Sequence, residues 1–393
     1  MKKAEGNYRP GGGTPVKRIF RKIHLWPAVP FGLIVTLICL SGATLVFEDE
    51  VMRLAHPDLF FASRSEGPRI SVDEAARRVA AGLPEGVEVT GVSIPADKRC
   101  NWQVNLSRPR RSWIAIDPYT GEVKGRYERA PFFTTMFRLH RWLLDSARPG
   151  EGIFWGKLLV GTSTLLFVIA LLSGVVLWWP RSRQALRHRL AIPLHKGRPR
   201  FWHGLHVAGG MYALLFLLLM ALTGLTWSFG WYRSALYALL GIEAPASGGG
   251  SHGRPDKDGG QHKGKRAERA VADFTAWDAA YAQLAARHPD YRLITIGPGE
   301  ASVSSAGWGN RRAADRYTFD RRTGHLLTAT PYAQSSASAK ARGWIFSLHV
   351  GSWAGLPGRI LAFVAALLGA SLPLTGYYLW LRRLRRQGNK PAP

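Results

Sequence analysis

Residues Phe201 to Phe229 read FWHGLHVAGGMYALLFLLLMALTGLTWSF. His203 and His206 stand three residues apart, and from Val207 to Phe229 no charge occurs. A helix of roughly 20 apolar residues spans the hydrocarbon core of a bilayer, so the histidines stand at one mouth of a membrane helix. The pattern occurs twice. His24 opens the uncharged run Leu25–Phe47, and a hydroxyl–glycine pair closes each interval. Gly42, after Ser41, follows His24 at the same spacing as Gly224, after Thr223, follows His206. That spacing is about five turns of α-helix.

Two more uncharged runs, Leu158–Trp179 and Ile360–Leu381, are nearly as long. Buried helices of soluble domains seldom run this far without a charged face. The expected fold is a polytopic α-helical membrane protein of four transmembrane helices, built as a tandem duplication, with two small α+β modules outside the bilayer. The net charge of +27 does not point to nucleic acid, because the cations fall in three short segments. These are the N-terminal tail (Lys2 to Lys22), the loop from Arg181 to Arg200, and the C-terminal tail from Arg382. Short basic loops stay in the cytoplasm. Both termini are therefore expected there, with the long loops in the periplasm of a bacterium and the helices in its inner membrane among the lipids. The first run lacks an A-x-A cleavage site and reads as a retained helix. Cys39 lies in that run and Cys100 in the first outer loop, so no disulfide is expected, and without C-x-x-C-H there is no covalent haem site.

In chain order, 1–20 read as a disordered basic tail, 21–50 as the first membrane helix and 51–135 as the first module. Its helix starts at Ser71, with Glu74 at capping-box spacing, and its last hairpin turns at DPYTG, Asp117–Gly121. Residues 136–180 hold an interfacial segment with His140 and the second helix, 181–200 form the basic loop, and 201–232 the third helix. Residues 233–341 form the second module, with a flexible insert at 244–266 containing His252 and His262, read as solvated linker. Its hairpin turns at DRRTG, Asp320–Gly324. Residues 342–382 hold a second interfacial segment, with His349, and the fourth helix, and 383–393 form a tail. Gly156 precedes Gly174 by the same five-turn interval, as Gly358 precedes Gly376. The two copies share one orientation, related by a pseudo-twofold along the membrane normal.

His24 corresponds to His206, and His140 to His349. A twofold would bring each pair face to face, one at the inner and one at the outer mouths of the bundle, as the ligands of six-coordinate haem iron require. His203 shares a helical face with His206 and is either the alternative ligand or a contact to a propionate; only His206 fits the repeated interval. Arg138, Arg141 and Arg342 are candidate propionate partners. The membrane glycines Gly42, Gly174, Gly224 and Gly376 would let helices pack closely or admit a flat macrocycle.

The paired DPYTG and DRRTG modules and the histidine-led helices resemble the PepSY-associated transmembrane family, over about Arg18 to Arg386, and within it the inner-membrane ferri-siderophore reductases of the ferrioxamine type. The resemblance implies two non-covalent b-type haems, one near each membrane face, and reduction of a ferric siderophore, hydroxamate in type, on the periplasmic side. Electrons would enter at His24 and His206 and leave at the catalytic pair His140 and His349. No nucleotide-binding glycine motif is present, so the donor would be another protein, a quinol or a diffusible reductant. The alternatives are a cytochrome b relay serving a partner protein and a non-enzymatic, membrane-anchored binding protein.

Overall fold

The computed structural model describes residues 15–109, 112–146, 153–243, 274–305, 307 and 309–388. The chain starts with α1 (Pro15–Val46), followed by α2 (Glu48–Ala55), the single turn α3 (Pro57–Phe60) and α4 (Val72–Ala81). Strands β1 (Val89–Pro95), β2 (Trp102–Leu106), β3 (Trp113–Ile116) and β4 (Val123–Tyr127) come next. Then α5 (Pro131–Trp142) leads to α6 (Trp155–Trp178) and, after α7 (Arg183–Leu190), to α8 (Arg198–Gly204). A π-helical turn, Leu205–Gly209, joins α8 to α9 (Gly210–Ser228). The order then recurs as α10 (Gly230–Leu239), α11 (Trp277–Arg287), β5 (Tyr291–Gly297), β6 (Glu300–Ser305), β7 (Asp315–Phe319), β8 (Leu326–Thr330), α12 (Ala337–His349) and α13 (Gly355–Gly388).

Four stretches are long and apolar enough to cross a membrane: Pro15–Val46, Trp155–Trp178, Arg198–Ser228 and Ser352–Arg385, with mean hydropathies of 1.8 to 2.3. Their outward leucines are open, Leu33 at 58% and Leu215 at 71%. That is the surface a lipid-facing bundle presents and a soluble one avoids. The chain is a membrane protein.

Some boundaries differ from those expected. Residues 15–20 are the first turns of α1 and not a tail, so Pro27 and Pro30 lie inside the helix and not in its first turns, each removing one backbone donor. The helix breaks at Phe47, where the three acids Glu48, Asp49 and Glu50 open α2 and complement its N-terminal dipole. At the other end, α13 runs on to Gly388, the last described residue, through residues expected as tail, because leucine and arginine sustain a helix. Residues 1–14, the insert 244–266 with His252 and His262, and residues 389–393 lie outside the described residues.

Where two separate modules were expected, the strands of both stretches form one eight-stranded sheet, with order β4-β3-β2-β1-β5-β6-β7-β8. At its centre β1 pairs antiparallel with β5: Val92 faces Ile296, Ile94 faces Ile294, and Ser93 faces Thr295. The two central hydroxyls lie 3.0 Å apart. Exchanging the strands maps this register onto itself. The helices on the sheet are joined the same way: the Val72 N–H donates to the Asp278 carboxylate (2.9 Å) and the Asp278 N–H to Asp73 (2.8 Å), so each helix caps the other. The core between α4, α11 and the sheet holds Val92, Ile94, Trp102, Trp277, Leu284, Ile294 and Ile296, all at 2% exposure or less. Each hairpin turn is fixed by its aspartate, which accepts from the N–H groups of Tyr119 and Thr120 in one case and of Arg322 and Thr323 in the other. The backbone closes through a left-handed glycine, Gly121 or Gly324.

Candidate functional site

The four histidines come together in two pairs. His24, on α1, and His206, in the π-helical turn, have ring centroids 6.2 Å apart. His140, on α5, and His349, the last residue of α12, have theirs 6.1 Å apart.

Each ring is held by its Nδ1. That of His24 is 2.9 Å from the Ala170 carbonyl, that of His206 3.1 Å from Leu372, that of His140 2.8 Å from Ile38, and that of His349 2.9 Å from Met220. A carbonyl only accepts, so every Nδ1 carries the hydrogen and every Nε2 keeps its lone pair. Outer partners of this kind fix the tautomer of metal-ligating histidines. Burial pushes the outer pair further toward the neutral form: His140 is lowered, and His349 is lowered to about 3, first by desolvation and then by His140 beside it.

All four seats are built alike. Three residues after the accepting carbonyl stands a hydroxyl that donates to that same carbonyl: Ser41, Ser173, Thr223 or Thr375. The next residue is glycine, and the imidazole lies against it. A Cβ built on Gly42 would stand 2.8 Å from His140 Cε1, and one on Gly224 3.2 Å from His349 Cε1. On Gly174 and Gly376 it would stand 3.5 Å from His24 and His206 respectively. The glycines thus receive imidazole rings, a role distinct from the helix packing or macrocycle notch expected of them. The wiring is also specific. His24 sits on the α6 seat and His140 on the α1 seat, within the first half of the chain. His206 sits on the α13 seat and His349 on the α9 seat, within the second. Each facing pair therefore takes one ring from each half.

Two cavities surround the pairs. The outer one, about 580 Å³, is lined by His140, His349, Gly42 and Gly224; the inner one, about 640 Å³, by His24, His206, Gly174 and Gly376. The residues would fit a haem: two facing imidazoles with free Nε2 lone pairs, centred 6.2 Å apart in one pair and 6.1 Å in the other, could hold its iron between them. Both volumes lie within the range of cofactor pockets. Among the described residues no three His, Cys, Asp or Glu side chains gather as a metal-ion site; each cavity presents one pair of imidazoles. Cys39 and Cys100 are both free thiols.

Of the arginines expected at propionates, Arg141 lines the outer cavity. Arg138 instead donates to the Leu144 carbonyl (3.0 Å) at the end of α5, and Arg342 is directed at Tyr237. The rim carries cations that the sequence reading missed: Lys157, Arg311, Arg312 and Arg359 outside, and Arg21, Arg189 and Arg383 inside. Lys157 and Arg359 had a signal, since each follows the first glycine of a repeated five-turn interval.

His203 is exposed on the wall of the inner cavity, while His206 faces His24. If the inner pair holds a haem, His203→Ala is therefore expected to leave it intact and His206→Ala to remove it; visible spectra of the two purified variants check this.

A family model for the PepSY-associated TM region matches residues 21–383. Among curated proteins, none matches the chain.

Proposed function

We propose that this chain, which belongs to the family of the PepSY-associated TM region, is a di-haem transmembrane reductase of ferric siderophores. The observation that carries the reading is the pair of facing imidazole couples, each centred 6.1 to 6.2 Å apart and oriented by Nδ1 bonds. His24 and His206 would hold one haem, His140 and His349 the other. Bound there, the two groups would supply one-electron transfer across the membrane.

The chain's own residues do the rest. The seats hold four imidazoles pre-aimed, so no ligand need reorganise. The basic termini and the Arg181–Arg200 loop favour a cytoplasmic His24 end, which would leave the sheet in the periplasm of a bacterial inner membrane. The chain reads as a duplicated unit, each copy contributing two crossings and half the sheet. For each ferric chelate one electron is consumed, Fe(III) becoming Fe(II), and a quinol or a reduced carrier on the cytoplasmic side loses one. Siderophores hold Fe(III) far better than the softer Fe(II), so the metal leaves without destruction of its ligand.

The purified protein is expected to contain two haems per chain, both low-spin, in a pyridine haemochrome assay. After dithionite reduction, anaerobic addition of a ferric siderophore is expected to reoxidise it and to colour a ferrous trap. One haem or none would sink the count. Two haems without reoxidation would leave a relay to a partner protein in place of the reductase.

A further inference from the structure

Pro27 and Pro30 interrupt α1 just after His24. Neither carries an N–H, so the carbonyls of Ile23 and Trp26, four residues before them, receive no rung of the helical ladder from them. A side chain from another helix reinforces the turn that follows. The Leu33 N–H donates to the Tyr377 hydroxyl (3.2 Å), and that hydroxyl donates to the Val29 carbonyl (2.6 Å). Leu33 and Val29 are ordinarily the two ends of one rung. The phenol is therefore inserted into the ladder of α1, a device that directs the course of a helix. Its approach needs Gly32, where a Cβ would stand 2.7 Å from the Tyr377 oxygen and 3.0 Å from Pro373 Cβ.

Through this bond α13 holds both members of the inner couple. Between Leu372 and Tyr377 it presents a carbonyl and the Thr375 hydroxyl to His206 Nδ1 (3.1 and 2.9 Å), Gly376 to the His206 ring, and the phenol to the helix that carries His24. The ring of His24 rests on α6, at Ala170 and Ser173 (2.9 and 3.2 Å), while its backbone is tied through Tyr377 to α13. Val175 follows Gly174 where Tyr377 follows Gly376, and the run Val207–Phe229 contains no proline. The extra bond thus falls on the helix whose ladder proline has thinned.

We propose that Tyr377 is a positioning residue of the inner couple: its hydroxyl clamps α1 through the two prolines and so sets how the His24 ring crosses the His206 ring. The planes of these two rings are 85° apart, against 56° for His140 and His349. The spectroscopic consequence rests on the di-haem reading, but the clamp is testable in the protein alone. Crossed imidazole planes leave the two π-bonding d orbitals of a ferric iron close in energy, and such a centre gives a signal at large g. Planes turned toward parallel split those orbitals and lower that g value. A tyrosine that only filled space would leave the crossing unchanged when its ring is kept.

Tyr377→Phe keeps the ring and removes the hydroxyl. Gly32→Ala keeps the hydroxyl and pushes it off the rung. Both are made in the full-length protein in detergent and compared by hydrogen–deuterium exchange and by electron paramagnetic resonance of the oxidised state. The inner signal is assigned by its absence from His206→Ala. In both variants exchange around Leu33 is expected to rise about fivefold, the effect of losing roughly one hydrogen bond, with α6 and α9 unchanged. The inner signal is expected to move to lower g while the outer one stays in place and two haems per chain are kept. Wild-type exchange around Leu33 in Tyr377→Phe would overturn the clamp. Faster exchange with an unmoved inner signal would overturn the positioning role, as would equal shifts in both centres, which mark general loosening. A shift in Gly32→Ala without one in Tyr377→Phe would assign the effect to packing and overturn it as well. Faster exchange in a protein that holds no haem would sustain the clamp and sink the reductase.

Discussion

His349→Ala is expected to lose the outer haem, retain the inner one and reduce ferric chelates more than about 100-fold more slowly, since loss of a mere outer-shell partner of a metal ligand already costs about 10- to 100-fold. The reason lies in the pairing. His140 alone can offer one nitrogen, and both it and its seat on Ile38 and Gly42 belong to the half of the chain opposite to His349. Haem per chain and the rate of chelate-driven reoxidation, measured on one preparation, check both parts. Retention of two low-spin haems would show that another residue ligates. His24→Ala provides the contrast: in sealed vesicles it should block electrons supplied from the cytoplasmic side, while outer haem reduced chemically should still react.

Gly42→Ala and Gly174→Ala should behave differently, although both replace the same residue in the same motif. The Gly42 methyl would stand 2.8 Å from the His140 ring, and the Gly174 methyl 3.5 Å from the His24 ring, an ordinary contact. In a bundle packed like a crystal the first displaces the imidazole and the second is absorbed. Gly42→Ala should therefore lower occupancy of the outer haem, or convert it to high spin, leaving the inner haem unaffected. Gly174→Ala should preserve both spectra. Electron paramagnetic resonance of the oxidised variants separates the two centres. Equal damage in both would mean that the outer ring has room to withdraw.

The membrane runs and the histidine correspondences were legible because each is a local pattern: uncharged length, and a histidine or glycine recurring at one fixed interval. The seats were half legible. Ser41-Gly42 and its three counterparts stood out as repeats, but which ring each one receives depends on helix neighbours far apart in sequence. The repeated interval marked these positions without saying which ring each receives: His24 contacts Gly174 and His140 contacts Gly42. Arg138 failed as a cavity residue for a reason visible in helical geometry: two residues before His140 is roughly 200° around the helix. Arg342 lies about two turns, roughly 10 Å, from His349. The union of the modules into one sheet turns on β1 meeting β5 from the far half of the chain, which no alternation within either strand encodes. Arg311 and Arg312 belong to no period at all. They reach the cavity only because Asn310, Ser347 and Gly343 tie their loop to α12.

The exchange symmetry at the centre of the sheet has a consequence for what a covalently joined chain can become. In a dimer of identical half-length chains, every residue placed on one side of the axis is placed on the other as well. Any change that improved one approach to the outer cavity would be copied onto the opposite approach, useful there or not. Joining the halves removes that obligation. Here α2 brings Glu48 and Asp49 to the cavity, while α10, its counterpart in chain order, begins Gly-Trp-Tyr-Arg. The loop after β6 is longer than the one after β2. A molecule whose histidine pairs take one ring from each half can in this way have two unlike sides, each free to differ from the other.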